Sequence, residues 1–416
     1  MTPYNKYLMS MKVILDADVI ADSYKDNRTG IFRVAFELFG SLAKLKSVDV
    51  YYSHLSLFHR ETSTGELDEF FSENSITINR ANVRAKRKFL LFRKEKLFRY
   101  LYNKIGIYNY KNTHFEKVWK NADIFHSFYH PFNNEIEKYP NLKKVITVHD
   151  LIPVLFPDLH FTSDLINNIV ASIGKDGYAI CVSENTKKDL LNYAPHINPN
   201  HVFVNLLAAS KTLFYVCKDV EKFNHIKAKY NLPKKYFLSV GTLEPRKNVD
   251  FVIRTFLKFI KENKIDDLGL VLVGAKGWDY DKIFEEYNNA QELKNKIIIT
   301  GRVPDEDLAS LYSHAHSFYY MSLYEGFGLP PLEAMQCGIA TVTSNTSSLP
   351  EVVGDGGIML DPNDEKLLSK TMLDLYLDDS LREEYAKKGL NRSKLFSWKK
   401  SAEELVDIYQ KIGNSR

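Results

Sequence analysis

The feature that most restricts this chain is a regular alternation of short, almost continuously apolar runs with longer stretches of helical periodicity. The runs fall at 12–17, 48–52, 75–79, 122–128, 144–149, 178–182 and 201–206, and again at 236–241, 269–274, 296–300, 317–321, 340–343 and 357–360. A strand with one face in water alternates apolar and polar residues, whereas one covered by helices on both faces has no need to. The runs therefore predict parallel strands, and their alternation with helices predicts an α/β architecture of doubly wound sheets.

With 416 residues the chain exceeds one ordinary core, so two domains are expected. The natural boundary lies at 210–235, where the charged segment Lys218-Asp-Val-Glu-Lys222 is closed by Asn231-Leu-Pro233 and a fresh strand starts at Tyr236. This gives a first Rossmann-like domain over 11–212 and a second over 234–395. A terminal helix within 396–416 is expected to pack back toward the first domain. Ligands belong where the carboxyl ends of the strands open into the cleft between the domains.

Bulk properties remove several function classes. A net charge of +4 is too small for the whole molecule to be an electrostatic nucleic-acid binder. Cys181, Cys217 and Cys337 are widely spaced with no CxxC pair, which argues against a disulfide framework or zinc site and for a reducing compartment. No run approaches the ~18–20 apolar residues of a membrane span, and the polar, aromatic start does not read as a signal peptide. A cytoplasmic location is expected, with structure beginning near Met11.

The densest chemistry lies in Tyr324-Glu-Gly-Phe-Gly-Leu-Pro-Pro-Leu-Glu-Ala-Met-Gln-Cys-Gly338, which follows a strand and opens a helix. Pro331 suits a first helical turn and Gly338 a stop. Glycines let the backbone approach a ligand closely, and the N–H groups of a helix start favour anionic oxygens. Glu325 and Glu333 can face one pocket and accept hydrogen bonds from vicinal hydroxyls. Taken alone, the same pattern is also what a solvated helix glutamate behind a plain turn would give.

The flanking segments add to this. In order they are Val240-Gly-Thr-Leu-Glu-Pro-Arg-Lys-Asn248, Leu272-Val-Gly-Ala275, Thr300-Gly-Arg-Val-Pro304, the Glu325–Gly338 block, and Ser347-Ser-Leu-Pro-Glu-Val-Val-Gly354 with Asp361-Pro362. With them the second half resembles the GT-B-fold retaining glycosyltransferases of family 4, the group of bacterial polysaccharide mannosyltransferases and sucrose synthases. The resemblance implies that Glu333 holds the donor ribose and that Glu325, with Gly326, Phe327, Gly328 and Leu329, holds the donor sugar. It sets Lys247 at the diphosphate and the base near Gly301, Arg302 and Val303. It also implies no cofactor, no metal, and a same-face substitution in which a donor phosphate oxygen helps deprotonate the acceptor hydroxyl.

One position departs from the pattern: many relatives carry an arginine where this chain has Thr242, and Arg246 is the candidate substitute cation. In the first half, Thr147-Val-His-Asp-Leu-Ile-Pro153 sets His149 against the donor sugar by the same resemblance, with Asp150 either at the acceptor or capping a helix. Asn27-Arg-Thr-Gly-Ile-Phe-Arg33 offers Gly30 and Arg33 to a phosphate or acceptor loop, against a plain N-cap by Thr29. His126 is read as a packing residue. The donor suggested by the resemblance is GDP-mannose. Competing readings are an epimerase or phosphorylase on the same scaffold and a non-catalytic sugar-nucleotide-binding partner.

Residues 84–104 are strongly basic and interleaved with aromatics, with Leu97, Phe98, Leu101, Tyr102 and Ile105 at helical spacing. Such a helix suits an anionic membrane surface, here the inner face of the cytoplasmic membrane, or packs its apolar stripe on the first domain. On the membrane reading the acceptor is a lipid-linked glycan or growing surface polysaccharide. The sequence leaves the oligomeric state open.

Overall fold

Each apolar run holds a strand in the computed structural model, which describes residues 10–25, 29–55, 62–86, 110–159 and 162–414. In chain order the strands are β1 (Met11–Asp16), β2 (Val48–Ser53), β3 (Asn79–Arg80), β4 (Asn82–Lys86), β5 (Tyr110–His114), β6 (Ile124–Ser127), β7 (Lys143–Val148), β8 (Tyr178–Cys181), β9 (Val202–Val204), β10 (Lys235–Val240), β11 (Leu268–Val273), β12 (Ile297–Gly301), β13 (Ser317–Tyr320), β14 (Thr341–Ser344) and β15 (Ile358–Leu360). Seven form one sheet in the order β3-β2-β1-β6-β7-β8-β9, and six form another in the order β12-β11-β10-β13-β14-β15. All pairings within these two sheets are parallel. The two halves are thus doubly wound Rossmann-like domains. The central strands carry the pattern that predicted them: all six residues of β11 and all four of β6, β8 and β13 are buried.

The order of each sheet reverses at an inner pair, β1/β6 in the first and β10/β13 in the second. The crevice beyond the carboxyl ends of such a pair is where open α/β sheets take their ligands. The segments after β1, β10 and β13 therefore leave the sheets at these switch points.

Three local readings need correction. The run at 75–79 pairs only through its last residue, because Ser75 turns into the left-handed region (φ 57°) as the preceding helix ends. Residues 84–86 are not the start of a helix but the end of β4, which pairs antiparallel with β5. There Arg84 is buried and donates to the Leu55 carbonyl at 3.3 Å and to Asn112 Oδ1 at 3.2 Å, so it is not a surface charge. The rest of the basic arm, 87–104, lies outside the described residues, as do Asn27 and Arg28.

Between the sheets, the helix Val220–Tyr230 is capped by Asp219 and pairs Lys229 with Asp307 of the second domain at 2.8 Å. The helix Trp398–Asn414 packs on the first domain instead. Tyr409 bonds His126 Nδ1 at 2.5 Å, and Ser401 and Asn205 exchange hydrogen bonds of 2.9 Å. His126 also meets Thr147 Oγ1 at 2.8 Å, and burial with the nearby His149 pushes its pKa down to about 3. It is a neutral packing histidine. No helix among the described residues is long and apolar enough to cross a membrane.

Candidate active site

Past β10 the chain makes a short turn, Pro245–Lys247, before Asn248 enters the left-handed region (φ 55°) and starts the helix Val249–Glu262. Asn248 is pinned there by its side-chain donation to the Pro362 carbonyl at 2.9 Å. This turn aims Arg246 and Lys247 at the end of β13.

There Glu325 receives them. Its Oε1 accepts from Lys247 Nζ (2.6 Å), Ser322 Oγ (2.6 Å) and Tyr320 OH (2.8 Å), while Oε2 meets Arg246 Nη1 at 2.8 Å. Arg246 also donates to Glu244 at 2.6 Å and to the Tyr324 carbonyl at 2.8 Å. Burial alone would raise the Glu325 pKa, but Arg246, Lys247 and these hydrogen bonds outweigh it and hold the carboxyl down at about 2. Lys247 is pulled below the ordinary lysine range by burial and by Arg246, with Glu325 opposing. Burial works against the Arg246 charge, yet Glu325 and Glu244 hold it firmly protonated. Two cations and two carboxylates are thus compensated at one switch point. Lys247 uses two of its three donors here, on Glu325 and Tyr320.

Glu333 lies in the helix Leu329–Gln336 and is buried. Its Oε1 accepts from Arg33 Nη1 at 3.0 Å and its Oε2 from Tyr312 OH at 3.2 Å. Burial raises its pKa above the ordinary value even though Arg33 pulls the other way. Arg33 extends from the first domain's helix Gly30–Leu42, and its Nη2 meets Asp305 at 2.9 Å. Thr29 caps that helix through Phe32 N at 3.2 Å, and a β-carbon at Gly30 would lie 4.0 Å from Leu329 Cδ1, so the helix start faces the second domain.

The loop between the two glutamates is gripped by the first domain. A β-carbon at Gly326 would fall 1.9 Å from the His149 carbonyl oxygen, so only glycine allows the approach. The Gly326 carbonyl accepts from Ser183 Oγ at 2.7 Å and Thr186 Oγ1 at 3.1 Å. Gly328 holds φ 109° and ends the loop at the helix start. The Glu351 carboxylate accepts from Glu184 N and Asn185 N at 2.8 Å each, capping the first-domain helix Glu184–Tyr193 from across the cleft. His149 donates Nε2–H to the Phe128 carbonyl at 2.8 Å, which fixes the tautomer and leaves Nδ1 as an acceptor. Burial keeps the ring neutral. Asp150 Oδ1 accepts from Ile152 N at 3.0 Å, just ahead of the short helix Ile152–Leu155, whose N-cap is Leu151.

Glu325, Arg246 and Lys247 thus form one cluster and Glu333 with Arg33 another, joined by the Gly326–Leu329 loop that meets His149. Gly301, Arg302 and Val303 lie at the carboxyl end of β12, where a β-carbon on Gly301 would meet open space; Arg302 is exposed and Val303 buried. Thr242 is exposed, and a β-carbon at Gly277 would lie 2.8 Å from its Cγ2. Phe327 packs on Phe396 with ring centroids 6.1 Å apart. Sequence reasoning missed Tyr320, Ser322, Tyr312, Asp305, Ser183, Thr186 and Glu351. A buried tyrosine hydroxyl needs a partner, so Tyr312 and Tyr320 carried a usable signal. Among the described residues no group of three or more His, Cys, Asp or Glu side chains is placed to hold a metal ion.

Comparison with known proteins bears on this arrangement. Residues 220–392 match the sequence model of the glycosyl transferases group 1. Over 410 residues the chain is 30% identical to O-antigen chain mannosyltransferase B of Escherichia coli, spanning 96% of this chain and 100% of that protein. It is 29% identical over 275 residues to the serotype-specific mannosyltransferase WbdA of Escherichia coli, covering 65% of this chain and 34% of that one. Among solved structures, sucrose-phosphate synthase from Thermosynechococcus elongatus superposes with a TM-score of 0.69 at 19% identity, over 97% of this chain and 99% of that one. WaaG, a glycosyltransferase involved in lipopolysaccharide biosynthesis, gives 0.63 at 14% identity, over 96% and 99%. At such identities the structures speak for the fold.

Proposed function

Since this chain belongs to the group 1 glycosyltransferases and is a hexosyltransferase, we propose that it moves a mannosyl group from GDP-mannose, with retention, onto a glycan or lipid-linked glycan in surface polysaccharide synthesis. The observation that carries the reading is the Glu325–Arg246–Lys247 cluster at the β10/β13 switch point. A nucleotide sugar asks for a carboxylate beside sugar hydroxyls and cations beside a diphosphate. Negative charge grows on the diphosphate as the glycosidic bond breaks, so cations fixed in advance stabilise the transition state more than the ground state. In this reading Lys247, with its remaining N–H, and Arg246 meet that charge, and Arg246 takes the role that an arginine at position 242 has in relatives.

Glu333 accepts from the ribose hydroxyls, and the base lies by Gly301, Arg302 and Val303. His149, neutral and with Nδ1 open as an acceptor, faces the donor sugar. The acceptor hydroxyl attacks from the face that the diphosphate leaves, and a phosphate oxygen takes its proton, so the chain's own residues need only orient, screen charge and exclude water. The mannosyl assignment follows the activity named for the Escherichia coli relatives, and GDP is the nucleotide that the sequence resemblance implies. Residues 87–104 supply a contact with an anionic membrane surface; sedimentation with anionic vesicles at low salt tests this, and absence of binding refutes it.

Thermal-shift screening against GDP-, UDP- and dTDP-sugars tests the donor. A ligand that binds only the folded state at one hundred times its Kd adds about 2.7 kcal/mol, so GDP-mannose should raise the midpoint most. A larger shift with another nucleotide sugar replaces the donor, and no shift with any removes the proposed donor site.

A further inference from the structure

Arg33 and Glu333 stand 300 positions apart in sequence, in different domains, and meet at 3.0 Å. The second arm of the same guanidinium is held by Asp305 at 2.9 Å, and its plane lies over the Phe214 ring at 5.3 Å. The pair is well sheltered: Glu333 is 7% exposed and Arg33 19%. A bond this well enclosed is not a surface ornament, since an Arg–carboxylate contact in a sheltered site is strong and directional. Tyr312 occupies the other Glu333 oxygen. The carboxylate assigned above to the donor ribose is therefore the same group that ties the first domain to the second.

We propose that Arg33 is a latch on the nucleotide site: ribose hydroxyls compete with it for Glu333, and the displaced guanidinium turns to the donor diphosphate. The inference rests on the donor-site reading of Glu333. Two features make the exchange feasible. Arg33 projects from the first turn of a helix whose start already faces the glycine loop through Gly30 and Leu329. Asp305, 35% exposed, keeps one arm of the guanidinium while the other changes partner. Arginine suits the task because its fork binds carboxylate and phosphate alike. An Arg33 that has left Glu333 for a diphosphate reports that both ribose and phosphates are present, which ties domain contact to a complete donor.

The test compares a ligand with ribose alone and one with ribose plus diphosphate. Guanosine and GDP, with uridine and UDP as a second pair, are titrated calorimetrically into wild type, Arg33→Ala, Arg33→Gln and Glu333→Ala. Removing the latch should make the nucleoside bind tighter, because nothing need be displaced, and the diphosphate bind weaker, because a cation is gone. We expect the preference for diphosphate over nucleoside to fall at least about tenfold (~1.4 kcal/mol). A residue that only supports the fold would weaken both ligands together. Changes of the same sign for both ligands, or no change, overturn the latch. Arg33→Gln keeps a hydrogen-bonding amide and carries the same comparison should Arg33→Ala fail to fold. If wild type binds GDP or UDP and Glu333→Ala binds it equally well, the donor-site reading itself fails, and the latch with it. If Glu333→Ala abolishes binding while the Arg33 variants change both ligands alike, only the latch fails.

Discussion

Replacing Glu325 by glutamine keeps the shape of the side chain and removes one negative charge. In the native cluster Arg246 and Lys247 are balanced by Glu325 and Glu244. The substitution leaves two buried cations facing one carboxylate, and the new amide must present N–H groups toward donors that now lie at 2.6–2.8 Å. Breaking a buried ion pair from one side costs ~3–5 kcal/mol, because the surviving charge stays desolvated without a partner. For a domain of this size each kcal/mol moves the melting point by about 2–4 °C. The melting of Glu325→Gln should therefore fall by roughly ten degrees, read by differential scanning fluorimetry or urea denaturation. Lys247, already below its ordinary pKa through burial and Arg246, loses an opposing carboxylate and falls further. Because a lysine depressed in the folded state penalises folding while protonated, that part of the stability deficit should shrink in alkali, as pH rises from the depressed Lys247 pKa toward the usual 10.5. The double variant Glu325→Gln/Lys247→Met should recover much of the stability and none of the turnover. A Glu325→Gln variant within about 0.5 kcal/mol of wild type, an ordinary surface-substitution effect, would refute the charge-balance reasoning.

Four further outcomes are expected. Arg246→Ala should lower turnover by more than about tenfold, the scale for losing a charged stabiliser; near-normal kinetics would remove its role as the substitute cation. Gly326→Ala should leave the second domain folded by circular dichroism but cost most of the turnover, since its β-carbon would sit 1.9 Å from the His149 carbonyl oxygen; unchanged kcat/KM would show that the domains need not approach this closely. Tyr409→Phe should destabilise the protein by about 1–3 kcal/mol in urea melts, leaving the buried His126 Nδ1 unpaired. Glu325, at about 2 in the fold against the usual 4.5, contributes stability that is present above pH 4.5 and lost as pH falls through about 2. Full protonation removes on the order of 3 kcal/mol. Urea midpoints of wild type and Glu325→Gln should accordingly converge as the pH is lowered.

The sheets were legible because burial on both faces leaves an unbroken apolar signature, as in Leu268–Val273. The β4–β5 ribbon was not, because it is held by backbone pairing and its faces carry Asn82, Arg84, Asn112 and His114. The basic, aromatic stretch that begins at Arg84 carries helical spacing further on, yet Arg84 itself pairs in β4 and is buried. The glutamates and the Arg246-Lys247 pair could be read from local motifs, since a helix start and a turn fix their neighbours. Their partners could not. Arg33 and Glu333 meet only once two domains are docked, and Glu351 reaches Glu184 and Asn185 across a cleft that no local pattern encodes.

The helix Trp398–Asn414 has a consequence for how this protein is made. Its buried face, with Tyr409 on His126 and Ser401 on Asn205, completes a surface built by residues that leave the ribosome long before it. At ~5–20 residues per second, the interval between residues 205 and 398 is on the order of ten to forty seconds. Through that interval the nascent first domain lacks the cover that Leu405, Val406, Tyr409 and Ile412 give the core. It should depend on a holdase during synthesis, and it should stall there when translation is interrupted before the helix emerges.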